Sequence, residues 1–124
     1  MEEEMNAKYI KQINPFMVPV KDNKIIYEHF GSASINEGDY SIAFMTAPAG
    51  WSEPYQVGDF DEVTLVLDGK KLIEIDEEKI ELIKNQSILV KKGTRVRYSN
   101  PFDKECSYVS FCIPAFTIDR VKRE

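Results

Sequence analysis

Glu62, Tyr55 and Tyr98 are the residues whose types and spacing point to chemistry inside a pocket. Glu62 opens a run in which Glu62, Thr64 and Val66 alternate with Val63, Leu65 and Leu67. Alternate residues of a strand share a face, so the glutamate is expected on the same side as Thr64 and Val66. A carboxylate turned inward needs hydrogen-bond partners, because a bare buried charge is costly. It offers general acid/base work or the orientation of a ligand. The plainer alternative is a structural acid bonded to Tyr98 or Tyr55. In the run that follows Gly93, Thr94, Val96 and Tyr98 share the face opposite Arg95 and Arg97. A phenol lining a pocket can hydrogen-bond a ligand while its ring supplies apolar contact; core packing with the hydroxyl satisfied locally is the alternative. Trp51 follows Gly50 in a loop and is expected near the pocket mouth, closing over a ligand or capping the core. The expected catalytic set is therefore Glu62, Tyr55 and Tyr98. The expected ligand-binding set is Trp51, Tyr55, Glu62, Thr64, Val96 and Tyr98.

Other reactive residues read more plainly. Glu53 is expected as a solvated charge. Lys91, Lys92, Arg95 and Arg97 form a basic group that could hold an anion. Arg95 and Arg97 point away from Val96 and Tyr98, however, and are better placed to pair with acids outside or at a dimer contact. His29, the sole histidine, is expected on a strand surface. Cys106 and Cys112 lie on one strand, about 20 Å apart at the usual rise. A disulfide needs Cα atoms within about 7 Å, so both are expected as free thiols, Cys112 in the core and Cys106 near a loop. The chain has no phosphate-cradling glycine loop, no nucleophile elbow and no zinc-type cysteine spacing.

The elements that must position these side chains are short β-rich runs separated by turn residues, the pattern of a sandwich or barrel. The runs are 16–20, 24–30, 40–46, 62–67, 71–75, 79–83, 87–90, 94–99 and 107–113. Pro15 and Pro19 confine the first to an edge strand or arm. Asp68-Gly69 and Asp76-Glu77-Glu78 read as tight hairpins, and Asn85 suits a left-handed backbone position. Both faces of the Glu62 run are largely apolar, which suits a barrel interior on one side and a second layer or subunit on the other. The expected organisation is an N-terminal arm (1–23), a barrel (24–114) and a charged surface tail (115–124), in an all-β fold.

Composition narrows the classes of function. At 124 residues the chain is one domain's worth, and its 43% hydrophobic residues are enough for one core. A net charge of -5 makes nucleic acid a poor partner. No apolar run approaches the roughly 20 residues needed to cross a bilayer, and the N-terminus carries glutamates where a signal peptide would carry basic charge. A cytoplasmic protein without a membrane partner is expected.

The spacing resembles the cupin superfamily. Gly50 opens a first motif, Glu62 stands at its acidic position, and Val66-Leu67-Asp68-Gly69 closes it; Gly93 and Asn100 keep parts of a second motif. The resemblance covers about residues 24–114 and implies a double-stranded β-helix, the jelly-roll barrel. Cupins commonly hold a metal on three histidines and one glutamate. Here the counts place Tyr55, Val57 and Val96 at the histidine positions, so no metal and no other cofactor is expected. Trp51…Pro54-Tyr55, Asp61-Glu62, the Lys-Gly-Thr turn at 92–94 and Pro114-Ala115 are similar to the ethanolamine-utilisation branch. The expected function is binding of a small polar metabolite in the barrel, with metal-independent acid/base activity of isomerase or lyase type. An accessory enzyme of ethanolamine or acetate metabolism, a non-catalytic structural or regulatory subunit, and a metal enzyme with atypical ligands stay open. A homodimer is expected, its arm lying along a neighbouring sheet edge.

Overall fold

Two antiparallel sheets enclose the interior in the computed structural model, which describes residues 8–124. The six-stranded sheet comprises β1 (Phe16–Met17), β2 (Ile25–Phe30), β3 (Ser41–Ala47), β5 (Asp61–Asp68), β8 (Ser87–Val90) and β10 (Cys106–Ile113). The five-stranded sheet comprises β4 (Gln56–Gly58), β6 (Lys70–Ile75), β7 (Glu78–Ile83), β9 (Arg95–Ser99) and β11 (Val121–Arg123). The first has the strand order β1-β2-β3-β10-β5-β8 and the second β11-β4-β9-β6-β7. One helical turn, α1 (Ser32–Ile35), follows β2. The expected all-β fold is what the structure has, and the alternation is clearest on β10. On β10, Cys106, Tyr108, Ser110 and Cys112 are all buried, with half-buried residues between them.

Two local readings change, the Asp68-Gly69 hairpin and the C-terminal tail. Asp68-Gly69 is not a hairpin, because β5 and β6 belong to different sheets. Gly69 instead turns the corner at φ 80°, where a Cβ would stand 2.5 Å from the Glu105 carbonyl oxygen. Only glycine escapes both constraints. The Asp76-Glu77 pair does close a hairpin, with Ile75 opposite Glu78, and Asn85 adopts the left-handed conformation at φ 68°. Phe16 and Met17 pair with β2 of the same chain. Val121–Arg123, in the segment expected as a surface tail, pairs with β4 and extends the second sheet.

The interior has an apolar part and a polar part. Ala47, Trp51, Val66, Ile73, Leu82, Val90, Val96 and Cys106 form a continuous buried cluster with Tyr98 and Tyr108. Beyond the two tyrosines the same strands line a cavity. Residues on β5, β10 and β3 lie abreast there, with Cys112 opposite both Glu62 and Ser41.

Candidate functional site

β5 and β10 deliver the first part of the site. Glu62 faces inward near the start of β5, and its carboxylate accepts hydrogen bonds from the Tyr98 hydroxyl at 3.0 Å and the Ser110 hydroxyl at 2.5 Å. The phenol–carboxylate bond unites two of the residues singled out from sequence, and it is the arrangement foreseen for a structural acid. Burial, followed by the nearby Glu62 charge, raises the Tyr98 phenol well above its usual range, so it stays protonated and donates.

β6 delivers a lysine that sequence reasoning passed over. Lys71 is 3% exposed, on the same face as Ile73 and Ile75. Its Nζ lies 3.4 Å from the ring centroid of Tyr108 and 4.5 Å from that of Tyr98. Burial, then the charge of Lys24, pushes its ammonium down to about 7, against the opposing pull of Glu62 and Glu53. Lys24, just before β2, places its amine 5.5 Å from the Tyr108 ring and 4.4 Å from that of Trp51. Burial lowers Lys24 as well, while Glu53, Glu62 and Asp22 oppose the shift. Glu53 was expected in solvent. It is half-buried and lines the cavity instead, and burial raises its carboxyl despite Lys24, Lys71 and Arg123 nearby.

The cavity measures about 90 Å³, room for several waters or a compact ligand. Lys24, Glu53, Glu62, Lys71, Tyr98 and Tyr108 supply its principal polar groups, while Met45, Phe60 and Phe116 form apolar wall. The Tyr108 hydroxyl is buried and has no hydrogen-bond partner among the described residues.

Only some of the expected site residues meet there. Val96 is 3% exposed and faces inward, bordering a smaller adjoining space with Glu62 and Tyr98. Thr64 points inward but is sealed in packed interior, away from the cavity lining, with its hydroxyl unpartnered. Trp51 is a buried core residue rather than a lid. Its Nε1 donates to Asp22 at 2.7 Å, and its ring lies against the Lys24 amine. Tyr55 lies outside altogether, in a shallow depression with its ring under the Arg95 guanidinium at 3.8 Å.

The displacement of Tyr55 has a simple cause. β4 begins at Gln56, which is 5% exposed and pairs with Val96 across to β9. Alternation then turns Tyr55 and Val57 outward, and Gln56 and Gly58 are the inward positions. The count back from Glu62 was therefore one residue out of phase. Neither inward position offers an imidazole. Gln56 Oε1 accepts a hydrogen bond from Arg123, and a Cβ on Gly58 would meet the Phe60 ring at 2.8 Å. With Val96 aliphatic and Glu62 held by two hydroxyls, these residues do not fit a first-row metal ion. Among the described residues no three His, Cys, Asp or Glu side chains gather closely enough to hold one.

The remaining expectations concern surface and thiols. Arg95 pairs with Glu124 and Arg97 with Glu74 at 3.6 Å, so both point away from the cavity as the alternation implied. His29 sits half-buried on β2. Cys106 and Cys112 are free and both buried. No helix among the described residues is long and apolar enough to cross a membrane.

No family model matches the chain. It is 40% identical over 100 residues, 81% of its length, to the endoribonuclease YbeY of Myxococcus xanthus, but spans only 34% of that protein. Among solved structures it is similar to a complex of a Streptomyces PAC13 variant with uridine, with 12% identity, TM-score 0.74, and coverage of 95% of this chain and 91% of that one. A Cupin 2 conserved barrel domain protein from Salinispora arenicola gives 14%, 0.65, and 87% and 90%. The EutQ protein of Clostridium difficile gives 19%, 0.60, and 77% and 66%. Two facing antiparallel sheets around a partly polar interior, similar to the cupin barrel from Salinispora arenicola, give this chain the fold of a cupin barrel.

Proposed function

We propose that this cupin binds a compact polar metabolite in its barrel and moves a proton on it without a metal, as in an isomerase or lyase. The observation that carries the reading is the meeting of Lys71, Glu62, Glu53 and Lys24 in one cavity beside an unpartnered phenol. Burying such charges costs several kcal/mol each before pairing, on the order of the whole stability of a small domain. Well-packed apolar residues would stabilise the barrel more. Clefts that gather perturbed ionisable groups are where proton-transfer chemistry is found. In this reading Glu62 accepts a proton from the ligand and returns it at a neighbouring atom, oriented by Tyr98 and Ser110. The positive groups hold the ligand's negative charge. The endoribonuclease activity named for the curated relative gains no support from the site, since the chain is acidic and the cavity small.

Thermal-shift screening against short hydroxy acids, oxo acids and sugars tests the binding. A true ligand at about 100 times its Kd should add about 2.7 kcal/mol. Solvent deuterium uptake into the bound ligand tests the chemistry, and Glu62→Gln should abolish it while the protein still melts cooperatively. A barrel that no compact metabolite stabilises, or unchanged exchange in Glu62→Gln, would overturn the reading.

The reading includes a homodimer through the outer face of the six-stranded sheet. Leu65, Leu89 and Ile113 are 37%, 54% and 51% exposed there, and Val63 lies directly beside Leu89 in the register. Light scattering should give twice the chain mass, and Leu89→Lys should shift it toward monomer. A monomeric wild type at micromolar concentration removes this part.

A further inference from the structure

We propose that Lys71 is a nucleophile that forms a reversible imine with a compact carbonyl compound held in this cavity. The inference rests on the reading that the cavity binds a small metabolite, and it names the chemical class. Lys71 is fixed for the task. Its amine is buried between two aromatic rings, 3.4 Å from the centroid of Tyr108 and 4.5 Å from that of Tyr98. Among the described residues it has no ion pair within 4.0 Å. It borders the same cavity as Tyr108, whose hydroxyl is buried and has no hydrogen-bond partner among the described residues.

Imine formation needs the neutral amine, and opposing effects decide whether it exists. The ring faces favour the ammonium. Full burial disfavours it by up to about 3–5 pKa units and is the larger effect. Lys24, whose amine lies 5.5 Å from the same Tyr108 ring, adds like-charge repulsion. Glu53 and Glu62 oppose these effects, and Tyr98, Tyr108 and Cys106 are raised by burial and stay neutral near pH 7. The balance lowers Lys71 to about 7, so its neutral amine is accessible near that pH.

The step balances without an oxidant or reductant. The Lys71 lone pair attacks the carbonyl carbon, a C–N bond forms, and the amine proton passes to the oxygen to give a carbinolamine. Protonation of that hydroxyl and loss of water then give the C=N bond. In this proposal the Tyr108 hydroxyl donates to the oxygen, and Glu62, which lines the same cavity, relays the proton.

Reductive trapping tests the idea on the intact protein. Acetaldehyde and pyruvate, in separate arms at about pH 7 with cyanoborohydride, are followed by proteolysis and mass spectrometry. An ordinary lysine with a pKa of about 10.4 is only about one part in 2,500 neutral there. Lys71 should therefore be alkylated at least about tenfold faster than exposed Lys79. Preference for pyruvate assigns a carboxylate-bearing carbonyl; preference for acetaldehyde assigns an uncharged one. Lys71→Arg should lose the cavity adduct, and the wild-type peptide map decides alone if that variant does not fold. Labelling of Lys71 no faster than Lys79 in both arms overturns the proposal. A ligand that stabilises the protein while Lys71 stays unlabelled overturns the nucleophile and leaves the binding reading intact. A trapped Lys71 without deuterium exchange does the reverse for proton transfer.

Discussion

The apolar and polar parts of the barrel interior are built on the same strands and from opposite chemistry. On β6, Ile73 faces inward and is fully buried, while Lys71 two residues earlier faces the same way into the cavity. On β5 the inner face runs from Glu62 at the cavity through Thr64 to Val66 in the apolar cluster. Tyr98 and Tyr108 belong to both, with rings in the cluster and a place in the cavity lining; the Tyr98 hydroxyl donates to Glu62, and that of Tyr108 is buried with no partner among the described residues. Strand alternation selects the face and is indifferent to which part a residue occupies. The apolar part therefore stabilises the fold by burial, and the polar part costs stability, which fits the proposed ligand site.

Ile73→Ala should give the largest effect, because it removes a fully buried side chain from the apolar part. Transfer and cavity costs together come to about 3 kcal/mol, read as a lower urea midpoint. Ligand binding by the surviving fold should change little. A loss below about 1 kcal/mol would mean that the apolar part is loosely packed and that the contrast is overdrawn.

Lys71→Met should act in the opposite direction. It replaces a buried cation by an apolar chain of similar length, and such exchanges are neutral or stabilising by about 1–4 kcal/mol. We expect a gain of about 2 kcal/mol at about pH 6, with loss of ligand binding. The gain depends on pH. In the folded protein Lys71 sits near 7, against 10.5 for an ordinary lysine. Between those values the unfolded chain holds a proton that the folded one lacks, so wild-type stability rises with pH across that window. The advantage of Lys71→Met should be constant below about 7 and shrink toward 10.5. Urea midpoints at three pH values measure this, and an advantage independent of pH would place the titration elsewhere.

The sequence exposed the fold and only half of the site, and particular residues show why. Glu62, Thr64 and Val66 alternate cleanly, as do Val96 and Tyr98, so β5 and β9 and their inner faces were legible. β4 has three residues, Gln56–Gly58, too few for a period to appear. Missing it moved the inward positions by one and put Tyr55 in the cavity in place of Gln56. Lys71 and Lys24 entered the sequence reading only as the first residues of the runs 71–75 and 24–30, since lysine is usually solvated. The signal was present all the same. Lys71 alternates with Ile73 and Ile75, and Lys24 with Ile26 and Glu28, so each is a charge on an inner face. Glu53 lies in a loop, where alternation says nothing about direction. Only the closure of the two sheets brings it near Lys24 and Lys71.

The smallest expected effect tests a residue that belongs to both parts. The Tyr108 hydroxyl is buried and unpartnered among the described residues, while its ring packs in the apolar cluster under the Lys71 amine. Tyr108→Phe keeps the ring and removes only the polar atom. An unsatisfied buried group costs about 1–3 kcal/mol, and waters entering the cavity would recover part of that, so the ligand-free variant should gain about 1 kcal/mol. The same change should weaken a ligand that hydrogen-bonds the hydroxyl by about 1 kcal/mol, roughly fivefold in Kd. The two signs are what distinguish a ligand contact from a packing residue. Urea denaturation of the free variant and titration calorimetry with the best ligand give both numbers. A variant that loses stability and keeps its affinity would assign Tyr108 wholly to the apolar part.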